Sequence, residues 1–185
     1  MAALQVLSEI SGLDYNAVML TQSDSFLRIS QVLKEKNLYL TCAESCTGGL
    51  LGHLITNTAG CSDYFIGGFL AYSNQAKIQF LHVQPETLQT HGAVSRETVL
   101  EMAHGARNAF SRHFPLEHIL ALSTSGIAGP DGGSPQKPVG TVWVGFSSGT
   151  AEGAEVFHFN GTREEVKLQS ALAALRMLAE ELSLE

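Results

Sequence analysis

Basic charge is scarce in this chain. It carries 11 lysines and arginines against 18 aspartates and glutamates, a net charge of −7. A broad grip on DNA or RNA needs a basic face, so no nucleic-acid partner is expected. A small phosphorylated ligand is still compatible, because one arginine and one helix N-terminus can hold a phosphate. Long apolar runs are missing too. Nothing approaches the roughly 18 residues of a membrane span, and no membrane association is expected. The opening stretch MAALQVLSEISGLDYNAVML lacks a basic leading region, and Glu9 and Asp14 interrupt it, so it does not read as a secretory signal. The expected location is cytoplasmic. Cysteine is sparse and odd in number, at Cys42, Cys46 and Cys61. In a reducing compartment that excludes a disulfide framework. There is no C-x-x-C pair and Cys42 falls in an apolar strand pattern, so no metal site is expected. Internal repeats, low-complexity tracts and linkers are also absent.

Apolar residues make up 44% of the 185 and charged residues 16%, which fits one compact domain with a sizeable core. Leu4, Leu7, Ile10, Leu13, Ala17 and Leu20 recur at roughly helical spacing. Residues 1–22 read as a helical arm or extension, and 23–185 as a single domain. A helix capped by Ser23 or Asp24 is expected next, with Phe26, Leu27, Ile29, Val32 and Leu33 on its apolar face. Residues 38–43 read as a buried strand and 48–57 as a helix. Residues 63–73 read as a strand kinked or bulged at Gly67 and Gly68. A short helix capped by Asn74 spans 74–83, and a turn follows it. A strong amphipathic helix with Ser95 as cap covers 95–114. A strand at 118–126 leads into a Gly/Pro loop. A hairpin over 141–160 and a closing helix capped by Thr162 complete the chain. Alternating strands and helices followed by a hairpin predict an α/β fold, a three-layer α/β/α sandwich with a mixed sheet.

Sheets of this kind place ligands where strand ends meet Gly-rich loops. Two such places exist, AESCTGG after the first strand and STSGIAGPDGG after the strand at 118–126. If both strands are central and point the same way, the loops share one sheet edge. Ser45 at the first turn is a candidate nucleophile. Backbone N–H groups from Cys46, Thr47, Gly48 and Gly49 would suit an oxyanion or a phosphate. Ser45 or Thr47 acting as a plain N-cap accounts for the same local pattern. Seven histidines are present, none in a strand-end loop beside an obvious acid. Lys77 is the better base, provided burial lowers its pKa toward neutrality. A solvated helix lysine is the alternative. Cys46 competes as nucleophile, since a helix N-terminus lowers a thiol pKa; a small packed core cysteine is its alternative. Arg163 opens the closing helix against an unfavourable dipole that a bound anion would offset. Pairing with Glu164 or Glu165 explains it equally.

Five segments in order, AESCTGG, GGFLAYSNQAK, HGAVSRETVLEMA, SGIAGPDGGSPQKPVGTVWVGF and NGTREEV, resemble the CinA C-terminal domain family over roughly residues 24–182. The resemblance implies an amidase that hydrolyses nicotinamide mononucleotide to nicotinate mononucleotide and ammonia, in pyridine-nucleotide recycling, with no cofactor. It implies a serine–lysine site with Ser45 as nucleophile and Lys77 as base. It further implies that Tyr72 lines that site as a third catalytic residue, that Thr124, Ser125 and Gly126 cradle the nucleotide, and that Arg163 pairs with the phosphate. Longer relatives carry a further N-terminal domain, and this chain is similar to the stand-alone form. A catalytically silent nucleotide-binding relative is the alternative, since a fold does not guarantee activity. The apolar arm and helices lead to the expectation of a homo-oligomer, taken as a dimer.

Overall fold

The computed structural model describes residues 15–184. Most of the expected arm, residues 1–14, lies outside the described residues. Helix α1 (Tyr15–Glu35) runs through Ser23 and Asp24 without a break, so neither starts a helix there. Strands β1 (Tyr39–Glu44), β2 (Phe65–Leu70), β3 (Ile119–Gly126), β4 (Thr141–Ser147) and β5 (Glu152–His158) form one sheet in the order β2-β1-β3-β4-β5. The first three run parallel, and β4 and β5 are antiparallel to their neighbours. The remaining helices are α2 (Leu50–Thr56), α3 (Asn74–Leu81), α4 (Pro85–Thr90), α5 (Arg96–Phe110) and α6 (Arg163–Glu181).

Side chains alternate across the strands and separate two cores. Leu40, Leu122, Val142 and Val144 face one side and pack with Leu33 of α1, Leu51 and Leu54 of α2 and Leu178 of α6. Ala43 and Ala121 face the other, where Leu81 of α3 and Met102 and Ala106 of α5 cover them. The expected three-layer α/β/α sandwich with a mixed sheet is therefore what forms. Among the described residues no helix is long and apolar enough to cross a membrane.

Several boundaries differ from the sequence reading. The cap of α3 is Ser73, whose hydroxyl accepts from the Ala76 N–H at 3.1 Å; Asn74 is already helical. The turn expected at 84–94 contains α4, begun by Pro85, whose missing N–H costs nothing in a first turn. Helix α5 stops at Phe110 rather than near 114, because a residue before proline disfavours the helical region and Phe114 precedes Pro115. Phe114 packs on Tyr39 instead, with ring centroids 4.5 Å apart. The register between β1 and β2 shifts where Leu40 and Thr41 oppose Phe65 and Gly67, which places the irregularity beside the expected glycine pair. The caps at Ser95 and Thr162 form as read, the latter as a reciprocal capping box with Glu165.

One contact fixes α3. A Cβ on Gly105 of α5 would collide with the Leu81 carbonyl oxygen. Backbone cannot yield as a side chain can. Gly105→Ala is expected to lower stability by about 2 kcal/mol or more, read as a fall in the urea midpoint at constant slope.

Candidate active site

The parallel register aligns the C-terminal ends of β1, β2 and β3: Glu44 lies opposite Leu70 on one side and Thr124 on the other. The two Gly-rich loops do share an edge. Ser45 leaves β1 there, its N–H donating to the Thr124 carbonyl at 3.0 Å. The following turn is not capped by Ser45 or Thr47. The N-cap of α2 is Gly49, at φ 96°, and it has no side-chain cap bond of its own. The cap is the buried Glu44 carboxylate. Its Oε2 accepts from the Gly49 N–H (2.9 Å) and the Leu51 N–H (3.1 Å), and its Oε1 from the Gly52 N–H (2.8 Å). A carboxylate at a helix N-terminus also complements the helix dipole.

Glu44 was missed in the sequence reading. The signal was an acid just before a helix start whose own cap position is glycine. Its consequence is that Gly49 has no N–H left for an oxyanion. Gly48 donates to the Ser45 carbonyl (3.2 Å) and Leu50 to the Thr47 carbonyl (3.3 Å), while Cys46 and Thr47 contribute N–H groups to neither the turn bonds nor the cap. Glu44→Gln keeps the size but points an amide N–H₂ at backbone donors. The expected cost is about 2 to 3 kcal/mol, measured by chemical denaturation.

Lys77 lies on α3, only 1% exposed, and reaches back to the end of β1. Its Nζ donates to Ser45 Oγ at 2.9 Å, to the Ala71 carbonyl at 2.9 Å and to the Tyr72 carbonyl at 3.1 Å. Burial is the main cause that holds its pKa down, to about 8, and the nearby Cys46 thiol opposes this. The solvated-lysine alternative therefore does not describe this side chain. Among the described residues its neighbours include no carboxylate within salt-bridge distance.

Cys46 is 5% exposed, and burial pushes its thiol up to about 12. That is the packed-cysteine environment, with too little thiolate at neutral pH for nucleophilic work. Arg163 pairs with neither of its glutamate neighbours. Its Nη1 donates to the Gly129 carbonyl at 2.7 Å and its Nη2 to Tyr72 Oη at 3.1 Å. One residue thus ties the second Gly-rich loop to the segment that leads from β2 into α3.

These groups surround a cavity of about 280 Å³. Ser45, Cys46, Tyr72, Lys77, Ser125 and Arg163 line it, as does Gly126. Thr47, Gly48, Gly49 and Thr124 do not. Thr47 and Thr124 share a hydrogen bond of 2.8 Å between their buried hydroxyls, joining the two loops beneath the cavity. The Ser125 hydroxyl donates to the Ala93 carbonyl at 2.7 Å. Ala93 and Val94 form a further wall; they lie in the HGAVSRETVLEMA segment, where the sequence singles out no site residue, because they meet the site only through tertiary packing. Among the described residues no group of three or more His, Cys, Asp or Glu is placed to hold a metal ion.

The model of the CinA C-terminal domain matches residues 23–182. The chain belongs to this family. It is 48% identical over 152 residues to a protein of Enterobacter agglomerans named nicotinamide-nucleotide amidohydrolase, covering 81% of this chain and 88% of that one. The Escherichia coli K12 protein of the same name is 47% identical over 152 residues, covering 82% and 88%. Among solved structures, a CinA superfamily protein of Klebsiella pneumoniae superimposes with a TM-score of 0.79 at 32% identity, covering 86% of this chain and 96% of that one.

Proposed function

We propose that this family member is a nicotinamide-nucleotide amidase acting in pyridine-nucleotide recycling, with Ser45 as nucleophile and Lys77 as general base. The observation that carries the reading is the environment of the Lys77 amine. The Ala71 and Tyr72 carbonyls accept two N–H bonds, which matches the donors of a neutral amine. The remaining direction is toward Ser45 Oγ at 2.9 Å, where the lone pair of the neutral form meets the serine proton. Burial favours that neutral form.

In this mechanism Lys77 takes the Ser45 proton as Oγ attacks the carboxamide carbon. The oxyanion of the tetrahedral intermediate falls to the N–H group of Cys46, a cavity-lining residue whose N–H the Glu44 cap leaves unclaimed. The C–N bond then breaks, and the lysine ammonium passes its proton to the leaving nitrogen, releasing ammonia. Water, deprotonated by Lys77, cleaves the acyl-serine to the acid product. Arg163 keeps three of its five N–H donors after its bonds to Gly129 and Tyr72, which supports its pairing with the substrate phosphate. The names of the Enterobacter and Escherichia coli relatives support the substrate class.

Incubation with nicotinamide mononucleotide is expected to give one ammonia per nicotinate mononucleotide, followed by a coupled ammonia assay and chromatography of the nucleotide. Binding seen by thermal shift without any ammonia would instead make the chain a silent nucleotide-binding relative.

A further inference from the structure

The segment 91–94 between α4 and α5 has no regular backbone pairing, yet all of its carbonyls are held by side chains. The Lys137 ammonium donates to the His91 carbonyl and to the Val94 carbonyl, both at 2.7 Å. The Ser95 and Thr98 hydroxyls donate to the Gly92 carbonyl at 3.0 and 2.8 Å. The Ser125 hydroxyl holds the Ala93 carbonyl. Lys137 comes from across the cavity, on the loop that follows β3. The neck of that loop is closed by Gly140 N–H to the Ile127 carbonyl (2.7 Å) and Ile127 N–H to the Thr141 carbonyl (2.9 Å). Its tip is a tight turn in which Ser134 and Lys137 exchange backbone bonds of 2.8 and 3.1 Å. The root of the lysine is thus fixed and its charge is directed at carbonyls that only an ammonium bridges together.

The two segments joined this way each present apolar side chains to the cavity. Ala93 and Val94 come from one, Ile127 and Ala128 from the other. None carries a polar side-chain atom, in a cavity whose other walls include the polar side chains of Ser45, Tyr72, Lys77, Ser125, Asp131 and Arg163. Small apolar side chains on two facing lips suit a flat ring. We propose that Lys137 is a positioning residue that latches these lips into a slot for the heteroaromatic ring bearing the carboxamide. The latch sets substrate affinity and leaves the Ser45–Lys77 chemistry alone. This rests on the amidase reading.

The test separates the two. Affinity for nicotinamide mononucleotide is measured by calorimetry in Ser45→Ala protein, with and without Lys137→Met, which keeps the stem and removes the donors. Affinity is expected to fall about tenfold, the scale of losing one pair of charge-assisted bonds. Lys137→Arg, which keeps the donors, is expected to stay within about threefold of the parent. With Ser45 intact, Lys137→Met is expected to raise KM about tenfold while kcat stays within about threefold. Val94→Trp fills the slot with the latch in place, and a similar loss of affinity is expected from it even if Lys137→Met does not fold. Affinity unchanged by both Lys137→Met and Val94→Trp overturns the proposal, as does a kcat that falls as far as affinity. Binding by Ser45→Ala protein without ammonia release by the wild type overturns the amidase reading and leaves the latch to be judged on affinity. Absence of binding overturns both.

Discussion

Ser45→Ala is expected to reduce ammonia release from nicotinamide mononucleotide by at least about 10⁴-fold, with the fold intact. Removing Oγ takes away the attacking atom of the proposed mechanism, the hydroxyl oxygen 2.9 Å from Lys77 Nζ. Cys46 is adjacent, but its buried thiol sits at about 12 and supplies almost no thiolate. Cys46→Ala is accordingly expected to keep most of the activity. The stability of Ser45→Ala should change little, since Oγ accepts one bond and the Lys77 amine retains the Ala71 and Tyr72 carbonyls. Rate and urea midpoint on the same preparations check both statements. A fully active Ser45→Ala variant would remove the serine mechanism outright, and a loss confined to Cys46→Ala would transfer the role to the thiol.

The second large effect is on Lys77. Lys77→Met is expected to abolish turnover to a similar degree, because a thioether accepts no proton at these pH values. In the wild type, kcat/KM is expected to rise with pH and level off above an apparent pKa near 8, as the amine becomes neutral. Stability follows the same proton. Folding lowers this pKa from the ordinary lysine value of 10.5 to about 8, so between those pH values the unfolded chain binds more protons than the folded one. Stability contributed by this group therefore rises with pH across that window, by up to about 1.4 kcal/mol per pH unit. Below it both forms are protonated and the burial penalty is fully present. Denaturation midpoints at a series of pH values should show the rise in the wild type and lose it in Lys77→Met. A flat kcat/KM profile across pH 7 to 9 would rule out Lys77 as the titrating base.

Much of this molecule is legible in its residue pattern because the pattern reports local physics. Short apolar runs, buried almost throughout, mark β1 and β3, and helical spacing marks α5 and α6. Hydroxyl caps at Ser95 and Thr162 declare themselves. Errors cluster where tertiary contacts override local preference. Ser73 and not Asn74 caps α3. The helix through Ser23 and Asp24 continues although both residues suit a cap. Glu44 reads as one more acid beside a turn, and only the path of α2 brings three backbone N–H groups onto its carboxylate.

The apolar periodicities and the order of strands and helices determined the fold class from the sequence alone, and five motif segments carried the resemblance to the family. They also nominated Ser45 and Lys77. They left open whether Ser45 was a cap and Lys77 a solvated lysine, because both roles use the same local residues. Tertiary structure decided these points. Parallel pairing of β1 with β3 brings the two loops to one edge, Glu44 takes over the cap, and the packing of α3 on α5 drives the Lys77 amine into a site 1% exposed, 2.9 Å from Ser45 Oγ. Burial and proximity across 32 residues of chain are properties of packing, and no short stretch of sequence encodes them.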